Sequence, residues 1–172
     1  FLSGPSSLAG HHAERHGNFR HSVEVADQAL DLATREPRVH LGVLVMAALL
    51  HDAGKADEYR QGRARLELSD RGRLIGHRQT VLEWLAAARA QHRVIVPEAH
   101  YLALVHALSC AKGAPAWLGL REPQSPEAML LSAADRLSGQ MNLMALHAPR
   151  EEGFGRYHPH LGGRPFMVAH QP

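Results

Sequence analysis

The sequence predicts an all-α bundle of five or more helices with an irregular C-terminal tail. Three observations carry this. Apolar residues recur at three- and four-residue spacing in several separate segments. Residues 39–50 form an almost wholly apolar run, too short for the roughly 18 residues of a membrane span. Helix-start residues and Gly/Pro stops separate the segments.

The elements are expected as follows. Residues 1–17, with Ser-Gly-Pro-Ser-Ser and Gly10-His11-His12, read as a lead-in loop. A first helix is expected over 18–35, with Asn18 as cap and Val23, Ala26, Leu30 and Ala33 as its apolar face. Pro37 precedes a second, central helix over 39–52, apolar almost all round. The charged stretch 56–71 reads as a loop with short helical pieces. A third helix over 75–91 is opened by His77, with Ile75, Leu82, Leu85 and Ala86 on one side. Pro97 starts a fourth that reaches Cys110 and carries Leu102, Val105, His106 and Leu108. Residues 113–126 form a surface loop, and Ser125 with Pro126 starts a fifth helix that reaches Leu146. Met129, Met141 and Met144 are expected to fill core. The tail from 147 is irregular or a short hairpin, and His158, His160 and His170 are given no role.

At 172 residues, with 45% apolar and 21% charged residues, the composition is that of one soluble domain with a full core. That domain could be excised from a longer protein, because no initiating methionine is present. A net charge of +2 does not by itself argue for nucleic acid, and the basic pI comes mostly from arginine, since only Lys55 and Lys112 are lysines. Cys110 alone rules out an internal disulfide, so a reducing, cytoplasmic setting without a membrane partner is expected.

The chemistry concentrates in Leu49-Leu50-His51-Asp52-Ala53-Gly54-Lys55, where an apolar run delivers an imidazole and a carboxylate side by side. A buried carboxylate needs a partner or a metal, so the pair is either a satisfied structural contact or half of a metal site. His21 and Asp135 also stand among apolar neighbours, on other helices. Together His21, His51, Asp52 and Asp135 are a reasonable ligand set for a divalent ion such as Mn²⁺, Fe²⁺ or Zn²⁺, with Ni²⁺ and Mg²⁺ as further candidates. His77 and His106 could add a second metal, with Asp52 as the bridge.

This order of residues resembles the HD superfamily of metal-dependent phosphohydrolases over nearly the whole chain. It is most similar to the HD domain of YhaM-type exoribonucleases and of the relaxases of one class of conjugative elements. His11-His12 precede the first ligand by about the family's interval, Gly76-His77 matches its Gly-His pair, and Pro126-Glu127-Ala128 with Ala134-Asp135-Arg136-Leu137 matches its last-ligand pattern.

The resemblance implies that His21, His51, Asp52 and Asp135 hold the first metal and that Asp52 also orients the attacking water. It implies that Lys55 stabilises the scissile phosphate and that His77 binds a second metal or donates to the leaving oxygen. His11, His12, Lys112 and Arg136 are candidate substrate contacts. Two departures stand out: Cys110-Ala111-Lys112-Gly113 replaces the family's Ser-His-His-Gly run, and His16-Gly17 replaces its double glycine. One metal is therefore expected and a second is in question, with Lys112 in place of the lost charge.

The expected activity is hydrolysis of a phosphoester of a nucleotide or single-stranded nucleic acid. The low aromatic content favours a small nucleotide, or a nucleic-acid-binding neighbour domain. The alternative is a weakly active or inactive metal-binding module of a larger DNA-processing protein.

Overall fold

The computed structural model describes residues 1, 2, 4–7, 14–62 and 66–169, and the fold is an all-α bundle. Helices α1 (Gly17–Ala33), α2 (Leu41–Leu50) and α7 (Pro126–His147) pack against one another, and α6 (Glu98–Ser109) closes onto α2 and α7. Their shared core is built from Val25, Ala26, Ala29 and Ala33 of α1, Leu44, Ala47 and Ala48 of α2, and Ala128, Leu131 and Ala134 of α7. So much alanine lets the helix axes approach closely, which places polar side chains of different helices within reach of each other. Helix α5 (His77–Gln91) leans on α6, where Val81, Leu108 and Ala53 form a smaller cluster joined by Phe1.

Several local expectations are corrected. Helix α1 is capped by His16 in the left-handed region (φ 66), not by Asn18, which is buried inside the first turn. Its buried stripe runs through Asn18, His21, Ser22, Val25, Ala26 and Ala29, while Val23 and Leu30 face outward. The small polar residues Asn18 and Ser22 of that stripe are buried, which hydrophobic periodicity cannot register. In α2 only one face is covered, and Leu41, Met46 and Leu49 are exposed. Met129 and Met141 are exposed rather than core-filling.

The segment after the His-Asp pair is more ordered than a loop. Helix α3 (Lys55–Glu58) leads into a hairpin of β1 (Tyr59–Gln61) and β2 (Leu66–Leu68), followed by α4 (Asp70–Leu74). The tail forms a second small hairpin, β3 (Gly153–Phe154) with β4 (Phe166–Met167). Helix α7 starts as expected, with the Ser125 hydroxyl accepting from the Ala128 amide and Pro126 in the first turn. No helix among the described residues is long and apolar enough to cross a membrane.

Candidate metal centre

Four side chains from three parts of the chain converge where α1, α2 and α7 meet. His21 is fully buried on α1, His51 and Asp52 occupy the turn that ends α2, and Asp135 sits midway along α7. The Nε2 atoms of His21 and His51 are 3.3 Å apart. Asp135 Oδ1 lies 3.1 Å from the first and 3.7 Å from the second, and Asp52 Oδ2 lies 3.6 Å from each.

The second nitrogen of each imidazole is already committed. His51 Nδ1–H donates to the Ala48 carbonyl at 2.7 Å. His21 Nδ1–H donates to Ser138 Oγ at 3.0 Å, because that hydroxyl gives its own proton to Glu24 at 3.2 Å. Both Nε2 atoms therefore turn their lone pairs toward the same point, which is how outer partners prepare histidine for a metal. Two lone pairs and two carboxylate oxygens around one point call for positive charge there.

The titration behaviour agrees. Burial, the strongest influence on Asp135, would raise its pKa, but when protons and not a metal sit between the two Nε2 atoms and this carboxylate, hydrogen bonds from the His21 and His51 rings hold it well below the usual carboxylate range. Burial likewise opposes ionisation of Asp52, and His51, Lys55 and His21 outweigh it. For His51, burial disfavours the charged form, yet Asp52 and Asp135 raise its pKa above the ordinary value. Donors about 2.0–2.2 Å from a shared ion sit roughly 3.0–3.6 Å from each other, close to the separations seen here. The set fits a divalent cation, and His21, His51 and Asp135 could hold one.

Around this point the chain arranges a second ring of groups. Lys55 Nζ donates to Asp52 Oδ2 at 2.6 Å, and buried Ser6 lies 3.4 Å from the same oxygen. The lead-in segment is thus part of the site's wall. Asn18 Nδ2 donates to the Asp52 carbonyl at 3.0 Å, tying α1 to the His-Asp turn.

His77 Nε2 is 3.5 Å from Asp52 Oδ1, and its Nδ1 is 3.0 Å from Glu58. Burial is the main influence on His77 and leaves its pKa lowered, with Lys55 acting the same way and Asp52 and Glu58 opposing.

Two glycines make this approach possible. A methyl on Gly54 would collide with the His77 carbonyl, 2.9 Å from its carbon, and one on Gly72 would lie 2.9 Å from Glu58 Cγ. Gly54 itself has an ordinary φ of −65, so it is glycine because of this close contact, not because the chain turns there.

A cavity of about 220 Å³ opens over the centre, bounded by His51, Asp52, Asp135, Lys55, His77, Arg78 and Lys112, with Cys110 and Leu131 among its apolar walls. Of the residues expected from sequence, His106 stays outside it: its Nε2 accepts from the Gln124 amide at 2.9 Å and anchors the loop before α7. Its place on a turn further up α6 and this bond take it away from His77. Arg136 lines a neighbouring cavity, and His11 and His12 lie outside the described residues.

Sequence reasoning missed Ser6, Asn18, Glu58, Arg78 and Ser138. Arg78, whose guanidinium donates to the Cys110 carbonyl at 3.0 Å, had the clearest signal, since it adjoins His77.

The model of the HD domain family matches residues 18–140, more than half of the chain. The chain belongs to the HD-domain family. HD domains are generally metal-dependent hydrolases of the phosphohydrolase superfamily, which accords with the convergent donors. No curated protein and no solved structure matches the chain.

Proposed function

We propose that His21, His51, Asp52 and Asp135 hold one divalent metal and that the protein hydrolyses a phosphoester of a nucleotide or single-stranded nucleic acid. The observation that carries this is the pair of imidazole nitrogens 3.3 Å apart, set with two carboxylates beneath a cavity lined by Lys55, His77, Arg78 and Lys112. A bound divalent ion lowers the pKa of water and draws charge off a phosphoryl oxygen.

The chain's own residues supply the rest. Asp52, ionised and held by Lys55 at 2.6 Å, presents its other oxygen toward His77 and the cavity, where it orients the attacking water. The Lys55 ammonium, with Arg78 and Lys112, offsets the charge of the phosphate. His77 keeps its Nδ1 proton on Glu58, so its Nε2 is free to take a proton and pass it to the leaving oxygen. Overall, water oxygen bonds to phosphorus, the phosphorus–oxygen bond to the leaving group breaks, and the proton ends on the leaving oxygen.

Cys110 and Lys112 occupy the cavity wall, and His106 is engaged elsewhere. A single metal supported by fixed cations is therefore the reading the site favours.

The test is hydrolysis of bis(p-nitrophenyl) phosphate with added Mn²⁺. Wild-type protein should turn over, and Asp52→Ala should lose at least about 10²-fold. Absence of turnover with every divalent metal tried would leave a metal-binding module of a larger protein.

A further inference from the structure

Lys55 has two places to go. Its side chain borders the catalytic cavity, and it also borders another of about 420 Å³, whose lining includes Phe1, Gly4 and Pro5 of the lead-in and Tyr59 and Leu66 of the hairpin. A lysine ammonium is a point charge on a flexible four-carbon stem, so attraction to Asp52 alone leaves its position loose.

Ser6 removes the choice. It is fully buried, and its Oγ lies 3.4 Å from Lys55 Nζ and 3.4 Å from Asp52 Oδ2, atoms that are themselves 2.6 Å apart. An ammonium only donates and a carboxylate only accepts, so the hydroxyl takes a hydrogen bond from Lys55 and gives one to Asp52. Both contacts are longer than the ion pair, so the hydroxyl guides that pair and does not replace it.

The segment that carries Ser6 is tied down along its length. Phe1 packs beside Ala53, Val81 and Leu108, and its ring meets that of Phe19 edge to face at 6.1 Å. The Leu2 carbonyl accepts from His16 Nδ1 at 2.7 Å, and the Gly4 carbonyl accepts from the Asn18 amide at 3.0 Å. The Asn18 side chain donates in turn to the Asp52 carbonyl. One residue thus fixes the lead-in segment and the His-Asp turn relative to each other.

We propose that Ser6 is a positioning residue, which keeps the Lys55 ammonium on Asp52 Oδ2 so that Oδ1 stays turned toward His77 and the catalytic cavity. This deepens the phosphohydrolase reading and rests on it, since Oδ1 is the oxygen that orients the attacking water there. Without the hydroxyl, Lys55 gains access to the other cavity and the carboxylate loses one of the contacts that set its rotation. Ser6 acts only through Lys55 and Asp52.

The experiment takes two readouts on Ser6→Ala, which removes a single oxygen from a buried position. The first is the heteronuclear NMR spectrum of the lysine ammonium groups, with diamagnetic Zn²⁺ in place of Mn²⁺. Only Lys55 and Lys112 contribute, and Lys112→Met assigns them. Lys55 should give a slowly exchanging signal in wild type that Ser6→Ala loses. The second is hydrolysis of bis(p-nitrophenyl) phosphate at saturating Mn²⁺, expressed per bound metal so that unfolded protein is not counted. Here kcat should fall about tenfold with KM unchanged. Phe1→Ala, which loosens the segment without touching the hydroxyl, should also slow the reaction. The double variant should be no slower than Ser6→Ala alone, because both changes act through one contact.

A Lys55 signal that survives in Ser6→Ala, a wild-type kcat per bound metal, or effects that multiply in the double variant would each overturn the proposal. Failure of the parent reading looks different: wild type shows no turnover with any divalent metal, while the Lys55 signal still depends on Ser6.

Discussion

Replacing Gly54 with alanine should damage the protein more than any other single methyl in the His-Asp turn. The added carbon would lie 2.9 Å from the His77 carbonyl carbon and 3.0 Å from its Cα, with the oxygen closer still. Ordinary carbon contacts lie near 3.5–4.0 Å, so backbone must retreat by roughly 0.5–1 Å. Overpacking of this kind costs about 1–3 kcal/mol. For a chain of this length that is a fall in Tm of roughly 2–12 °C. The displaced element is the start of α5, which carries His77 against Asp52, so turnover should fall as well, by up to about 10²-fold. Gly163→Ala is the control, since a methyl there meets nothing within 4 Å. Thermal melts of both variants and hydrolysis of a generic phosphodiester read the outcome. If Gly54→Ala melts and turns over like Gly163→Ala, the close approach of the turn to α5 is wrong.

Three further variants probe two groups that hold the site and one that ties α7 to the start of α2. Glu58→Gln leaves His77 Nδ1 without its carboxylate and should lower turnover about 10–100-fold. Because the Glu58 charge opposes the burial that depresses the His77 pKa, its loss should also move the acid limb of the pH–rate profile to lower pH; an unmoved limb would detach Glu58 from the chemistry. Ser138→Ala removes the partner that fixes the His21 tautomer and should weaken metal binding about 10–100-fold by titration, whereas unchanged affinity would contradict the tautomer assignment. Glu127 is buried and accepts the His40 amide at 2.8 Å. Burial would raise its pKa, but that amide, its own amide and the Ser125 hydroxyl leave it lowered. A depressed folded pKa gives stability that is complete above the unfolded value, about 4.3, and is lost as pH falls through the folded pKa. Urea unfolding should therefore show Glu127→Gln about 1 kcal/mol less stable at neutral pH, with the deficit shrinking well below about pH 4. A deficit equal at both pH values would contradict this.

What the sequence reveals is what can be expressed locally. Helix α7 is legible because Ser125 and Pro126 mark its start within three residues, and α2 because its apolar run has one plausible fate. The site's centre is legible because His51 and Asp52 are adjacent and because His21 and Asp135 are polar residues set among apolar ones. The supporting groups escape notice for the opposite reason. Ser138 is 117 residues from His21, Glu58 is 19 from His77, and nothing near either announces the pairing. Asn18 looks like a helix cap on local grounds, and only the fold gives it the Asp52 carbonyl. The paired strands Tyr59–Gln61 and Leu66–Leu68 are three residues each, too short to carry a strand pattern. His106 misleads because a histidine on a largely apolar helix has the same local signature whether it binds a metal or a backbone amide.

The most direct measurement is elemental analysis of the purified protein, repeated on His51→Ala and Asp135→Ala, with a melting curve before and after chelation. Wild type should carry about one divalent ion per chain, both variants should lose it, and chelation should lower the Tm, because binding to the folded state alone stabilises it. Wild type without bound metal, with a Tm that neither chelator nor added Mn²⁺ moves, would mean that His21, His51 and Asp135 are a hydrogen-bonded cluster and not a metal centre.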